Sequence, residues 1–135
     1  MVGYSGTPLV KKLGIKAGTT LLPVGAPPEY LKLVAPLPEN VTLAKRAIPE
    51  LDMVHIFTRR RAELAAALKK YKSHIKQDGA IWVSWPKKAS KVPTDITEDT
   101  IRELALPMGL VDIKVCAVDE TWSGLKLVIR RVNRK

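Results

Sequence analysis

Arg59, Arg60 and Arg61 are the densest group of chemistry-bearing side chains in this sequence. They follow an apolar run, Met53–Thr58, and open a helical pattern, so three guanidinium groups stand beside the free backbone N–H groups of a helix start. A helix start favours anions, and cations placed there cost a few tenths to about 1 kcal/mol. Backbone donors combined with guanidinium forks are suited to holding phosphate or carboxylate. Lys45 and Arg46 follow an earlier predicted strand, and Lys87, Lys88 and Lys91 follow a later one. Trp85 adjoins the latter group, and an aromatic beside lysines can stack a base while the lysines hold phosphate. Trp122 lies in a polar connection, Asp119-Glu120-Thr121-Trp122-Ser123, which reads as a site or a partner contact. The candidate ligand-binding residues are therefore Lys45, Arg46, Arg59, Arg60, Arg61, Trp85, Lys87, Lys88 and Trp122. The alternative is structural: solvated arginines on a basic chain, and core packing for tryptophans within buried strands, Trp82 above all.

The remaining reactive groups do not assemble into a pattern. His55 sits inside an apolar strand and His74 among helix lysines, so a metal site is not expected. Cys116 alternates with Val115 and Ala117 and reads as a buried, inert thiol. Ser84, His55 and Asp52 could meet on adjacent strands, but no nucleophile-elbow motif supports a triad. Asp119 and Glu120 are adjacent, so on a strand they would face opposite ways. No catalytic residue is expected.

The elements that must position these groups follow from the pattern of apolar residues and breakers. A short helix is expected over Thr7–Gly14, with Thr7 as cap and Gly14 as left-handed stop. Gly18–Gly25 reads as a strand weakened by Pro23, Pro28–Val34 as a helix, and Asn40–Ala44 as a short strand. Met53–Thr58 and Gly79–Pro86 are unbroken apolar runs, as in strands buried on both faces. Between them Leu64, Leu68, Tyr71 and Ile75 make one stripe of a helix from Arg61 to Gln77, stopped by Asp78-Gly79. Asp95 and Glu98 have capping-box spacing for a helix ending near Leu106. Val111–Asp119 and Leu125–Val132, joined by five residues, suit an antiparallel hairpin. This order predicts one α/β domain over 1–135, three-layered and Rossmann-like, with a mostly parallel sheet and a C-terminal antiparallel hairpin. Ligands of such sheets bind beyond the C-terminal ends of the strands, the edge at which the cations cluster.

The 135 residues are 46% hydrophobic and 27% charged, too apolar for a disordered chain. No apolar run is long enough to span a membrane, and the first residues lack a signal-peptide pattern. With one cysteine no internal disulfide forms, and a cytoplasmic setting is expected. The net charge of +10 is spread as +3, +4 and +3 over residues 1–50, 51–100 and 101–135, so it belongs to the folded body rather than to an arm. The partners it favours are a nucleotide, nucleic acid or an acidic protein.

Gly3-Tyr4-Ser5-Gly6-Thr7-Pro8-Leu9, Trp82-Val83-Ser84-Trp85-Pro86-Lys87-Lys88 and Asp119-Glu120-Thr121-Trp122-Ser123-Gly124-Leu125-Lys126 resemble a small bacterial family known as domain of unknown function 3052. That resemblance spans nearly the whole chain and implies no particular activity. The element order, with its closing hairpin, is similar at fold level to Rossmann-like methyltransferases that use S-adenosylmethionine. In place of those enzymes' glycine-rich loop the chain has Gly25-Ala26-Pro27-Pro28, and in place of their ribose-binding acid it has Lys45 and Arg46. No cofactor is expected. The expected function is a non-catalytic module that binds an anionic ligand or partner at the strand C-terminal edge. A diverged methyltransferase-like enzyme is the alternative, and a subunit contact through the Trp122 hairpin is a third possibility.

Overall fold

The computed structural model describes residues 7–135. The Gly3–Gly6 part of the first motif, and most of the segment read for a signal peptide, lie outside the described residues. The elements are α1 (Leu9–Leu13), β1 (Thr20–Val24), α2 (Tyr30–Leu33), β2 (Thr42–Leu43), β3 (Leu51–Phe57), α3 (Arg61–Tyr71), β4 (Ile75–Pro86), α4 (Glu98–Ala105), β5 (Leu110–Ala117) and β6 (Trp122–Ile129). They build a six-stranded sheet in the order β2-β1-β3-β4-β6-β5. The first four strands pair in parallel, and the β5–β6 hairpin adds to β4 antiparallel. The fold is the expected mixed α/β Rossmann-like sheet with a terminal hairpin.

Alternate residues of the inner strands feed two separate cores, which explains their unbroken apolar runs. Leu22, Val54, Ile56, Ile81, Val83 and Trp85 pack with Leu64 and Leu68 of α3 and Ile101 and Ala105 of α4. Leu21, Met53, Phe57 and Trp82 pack on the other side with Val10 and Leu13 of α1 and Tyr30 of α2. The fully buried Trp82 donates its indole N–H to the Leu13 carbonyl at 2.9 Å, so its polar edge is satisfied as well as its ring. Pro23 is tolerated inside the sheet because β2 pairs only with Thr20 and Leu21, leaving that side of β1 without a ladder at Pro23.

Several boundaries differ from the sequence expectation. The helix expected to reach Gln77 ends at Tyr71, and Ile75 opens β4 opposite Leu51. Asp78-Gly79 does not stop a helix. It lies in a bulge of β4, where the register jumps from Leu51–Ile75 to Met53–Ala80. Thr7 makes no cap; the Pro8 carbonyl accepts from the Lys11 and Lys12 N–H groups, and Gly14 takes the left-handed stop at φ 82°. The α4 cap is Thr97, in a reciprocal box with Thr100, rather than Asp95 with Glu98. Trp122 opens β6 instead of sitting in the turn, whose N–H groups at Thr121 and Trp122 donate to the Asp119 carboxylate at 2.8 Å.

Candidate functional site

The C-terminal ends of β3 and β4 are tied together and covered by one crossing segment. The Thr58 N–H donates to the Ser84 carbonyl at 3.1 Å, joining the two strand ends. Residues 93–97 then lie across the start of α3. The Thr94 hydroxyl donates to the Arg59 carbonyl at 2.7 Å, and the Asp95 N–H donates to the same oxygen at 3.2 Å. The Asp95 carboxylate in turn accepts the Arg61 N–H at 2.6 Å. Asp95 therefore satisfies a free donor of α3, supplied from outside that helix.

Two cavities flank this segment and share Thr94. One, of about 500 Å³, is lined by Arg59, Arg60, Ala62, Pro93, Thr94 and Asp95. The other, of about 510 Å³, includes Trp85, Pro86, Lys87, Lys88, Ile96 and Thr97. Arg59, Arg60, Lys87 and Lys88 thus line adjoining cavities at one end of the sheet. The other predicted residues are placed differently. The Arg61 guanidinium donates to Glu103 of α4 at 3.0 Å, which bridges the two helices. Lys45 and Arg46 are exposed after β2 and line neither cavity. Trp85 is buried in the α3–α4 core and contributes to a cavity wall. Trp122 packs on the opposite side of the sheet, edge-on to Phe57 at 5.2 Å. Arg60 lies 3.9 Å from Glu63, an exposed pair of little strength.

Thr94 and Asp95 are the site residues that sequence reasoning missed: Thr94 had no assigned role, and Asp95 was expected to cap α4. A signal was present: Asp95–Glu98 and Thr97–Thr100 offer two overlapping cap patterns where one helix start needs only one. The spare acceptor serves α3.

On the α1–α2 side, a polar group is sealed within the core. The His55 ring hydrogen-bonds the Tyr30 hydroxyl through Nδ1 at 2.9 Å and Ser84 Oγ through Nε2 at 2.7 Å. His55 and Ser84 are fully buried, and burial drives the His55 pKa down to about 3, so the imidazole is neutral. Burial likewise pushes the Tyr30 hydroxyl above its ordinary value. The third member is Tyr30 and not Asp52, whose carboxylate holds Lys76 at 2.9 Å and the Thr20 N–H at 2.8 Å. Among the described residues every buried side-chain nitrogen and oxygen has a hydrogen-bond partner. Cys116 is half-buried, and burial raises its thiol pKa despite Lys12 and Lys114 nearby. No cluster of potential metal ligands occurs among the described residues, and none of their helices is long and apolar enough to cross a membrane.

The loop after β1 does not fit S-adenosylmethionine. Gly25 has φ 66°, and a Cβ there would lie 2.7 Å from the Phe57 carbonyl, so the loop is drawn tightly onto β3. Pro27 and Pro28 contribute no N–H, and the Pro27 carbonyl is held by the Tyr30 N–H at 3.0 Å. Lys45 and Arg46 supply no acceptor for ribose hydroxyls.

Solved structures that share this fold at low identity include methyltransferases. A SAM-dependent methyltransferase from Aquifex aeolicus matches with TM-score 0.65 and 17% identity, over 90% of this chain and 87% of that one. Ribosomal protein L11 methylase from Lactobacillus delbrueckii subsp. bulgaricus matches with TM-score 0.60 and 12% identity, over 90% and 75%. Fibrillarin from Aeropyrum pernix, solved with S-adenosyl-L-methionine bound, matches with TM-score 0.59 and 12% identity, over 94% and 71%. At such identities the likeness is one of fold. No curated protein matches the chain. The family model described as protein of unknown function DUF3052 matches residues 43–131, from the last residue of β2 to just beyond the closing hairpin, and the chain belongs to that family.

Proposed function

We propose that the protein is a non-catalytic binding module for a phosphate-bearing small molecule of nucleotide size, held at the C-terminal ends of β3 and β4. The observation that carries this reading is the pair of adjoining cavities sharing Thr94, with Arg59 and Arg60 on one and Lys87 and Lys88 on the other. The cations would take the phosphates, while Ile96, Pro86 and Trp85 give an apolar wall for the remainder. Asp95 already occupies the α3 donor at Arg61, so phosphate is expected against the side chains rather than on the helix end. Ser84 and His55, a hydroxyl and an imidazole in hydrogen-bond contact, are sealed in the core and do not reach these cavities.

Calorimetric titration with ATP tests the proposal. Wild type should bind with an affinity that falls as salt rises, and Arg59→Ala/Lys87→Ala/Lys88→Ala should weaken ATP binding at least about tenfold. Unchanged or salt-insensitive binding by the triple variant would defeat it. The second reading, a diverged methyltransferase-like enzyme, is favoured by the fold likeness alone. Absence of heat with S-adenosylmethionine at millimolar concentration removes it.

A further inference from the structure

A further cavity lies at the other end of the sheet, beside the N-terminal ends of β1 and β3. It measures about 660 Å³ and is lined by the α1–β1 turn, both strand starts, the β4 bulge and β6. Four cationic side chains face it: Lys16, Lys76, Lys126 and Arg134. Two acids line it as well, and Asp52 is committed to Lys76 at 2.9 Å and to the Thr20 N–H at 2.8 Å.

Lys126 has no such arrangement. It lies on β6, directly opposite Lys114 of β5, and both belong to the α1 side of the sheet. Like charges directly opposite across a ladder repel. Its ammonium sits against the α1–β1 turn, where a Cβ at Gly14 would lie 3.6 Å from Nζ. Among the described residues no carboxylate forms an ion pair with Lys16, Lys114 or Lys126, and residues 1–6 contain no acidic side chain. Lys114 reaches instead to the Lys12 carbonyl at 2.9 Å. Lysines on an edge strand guard against aggregation, which accounts for Lys114 on β5. It does not account for Lys126, because β6 is an inner strand.

We infer that this cavity is a second anion site, in which Lys126 and Lys16 bind a small oligophosphate against the turn at Gly14–Gly18. A bound multivalent anion supplies the counter-charge that the fold leaves out between β6 and α1. Burial, with the charges of Lys114 and Lys16, holds the Lys126 pKa below its ordinary value, in keeping with an ammonium short of counter-charge. On the far wall Lys76 pairs with Asp52, and Asp78 also lines the cavity and interacts with Lys76. This inference does not rest on the site at β3 and β4, which is at the opposite end of the strands.

Tripolyphosphate is the probe, titrated at low salt into wild type, Lys16→Ala/Lys126→Met, Arg59→Ala/Lys87→Ala/Lys88→Ala and the charge control Lys69→Ala/Lys70→Ala. The Lys16/Lys126 variant should bind roughly tenfold more weakly or worse, the size expected for lost hydrogen bonds to a charged group. The control and the Arg59 variant should retain the cavity's binding isotherm. Equal weakening in the control would reveal general charge attraction and overturn the site, as would no binding by wild type. Lys126→Met keeps the aliphatic stem and relieves repulsion, so far-UV circular dichroism should be unchanged. If the double variant nevertheless unfolds, Lys16→Ala alone is decisive: unweakened binding overturns the site.

Discussion

Asp95 and Arg61, 34 residues apart in sequence, meet where the Asp95 carboxylate accepts the Arg61 N–H at 2.6 Å. The contact explains how three consecutive arginines are tolerated at the start of α3. The helix end and its cations are offset by a carboxylate from the segment that leads into α4. Arg61 repeats the theme through its side chain, bonded to Glu103 of α4.

Replacing Asp95 by Ala should cost about 1 kcal/mol, the usual loss for a helix-start acceptor. Asp95→Asn keeps an acceptor and should lie close to wild type. Both remove a negative charge from the first cavity, so ATP should bind several-fold more tightly. Urea denaturation and calorimetry check the two halves. Weaker ATP binding in Asp95→Asn would count against phosphate near Arg59.

Tyr30→Phe leaves His55 Nδ1 without a partner in a sealed core, and Ser84→Ala does the same at Nε2. Each should destabilise by about 1–3 kcal/mol. Additive losses in the double variant, measured by urea denaturation, would mean that the two bonds act independently, whereas a smaller combined loss would show one coupled network.

Stability should fall on acidification. The His55 pKa is lowered from 6.5 to about 3 in the folded protein. Between those values the unfolded chain takes up a proton that the buried ring refuses. The contribution is complete above pH 6.5 and is lost as pH falls toward 3, with a limiting slope of about 1.4 kcal/mol per pH unit. Unfolding free energies from pH 7 to pH 4 should show a steeper decline in wild type than in His55→Asn. Parallel curves would place the acid sensitivity in the carboxylates instead.

Gly25→Ala and Gly18→Ala separate two penalties. Both glycines have positive φ, 66° and 80°. A Cβ at Gly18 meets nothing within 4 Å, so its cost is the left-handed conformation alone, about 1 kcal/mol. At Gly25 the Cβ would also strike the Phe57 carbonyl at 2.7 Å. Its thermal midpoint should drop distinctly further, and equal drops would argue against a close approach of β1 to β3.

Much of the fold was legible in the sequence because the inner strands carry apolar residues on both faces, and the five-residue link left only an antiparallel hairpin. The end of α3 was not. Ile75 continues the helical spacing of Leu64, Leu68 and Tyr71 and also suits the first residue of a buried strand. Only its pairing with Leu51 decides between them. The cap at Asp95 misled for a similar reason, since its partner N–H belongs to another helix.

The candidate site divides along the same line. Residue types and spacing alone determined that cations follow the strands, that the loop after β1 is stiffened by two prolines, and that no nucleophile motif is present. Tertiary structure decided which cations adjoin: Arg59 and Arg60 with Lys87 and Lys88, while Arg61 turns to Glu103 and Lys45 and Arg46 line neither cavity. It also set Lys126 opposite Lys114. The physical reason is that periodicity is a local property, fixed by which neighbours a side chain has along its own element. Charge pairing is settled by groups tens of residues away, and nothing in a local pattern records where those arrive.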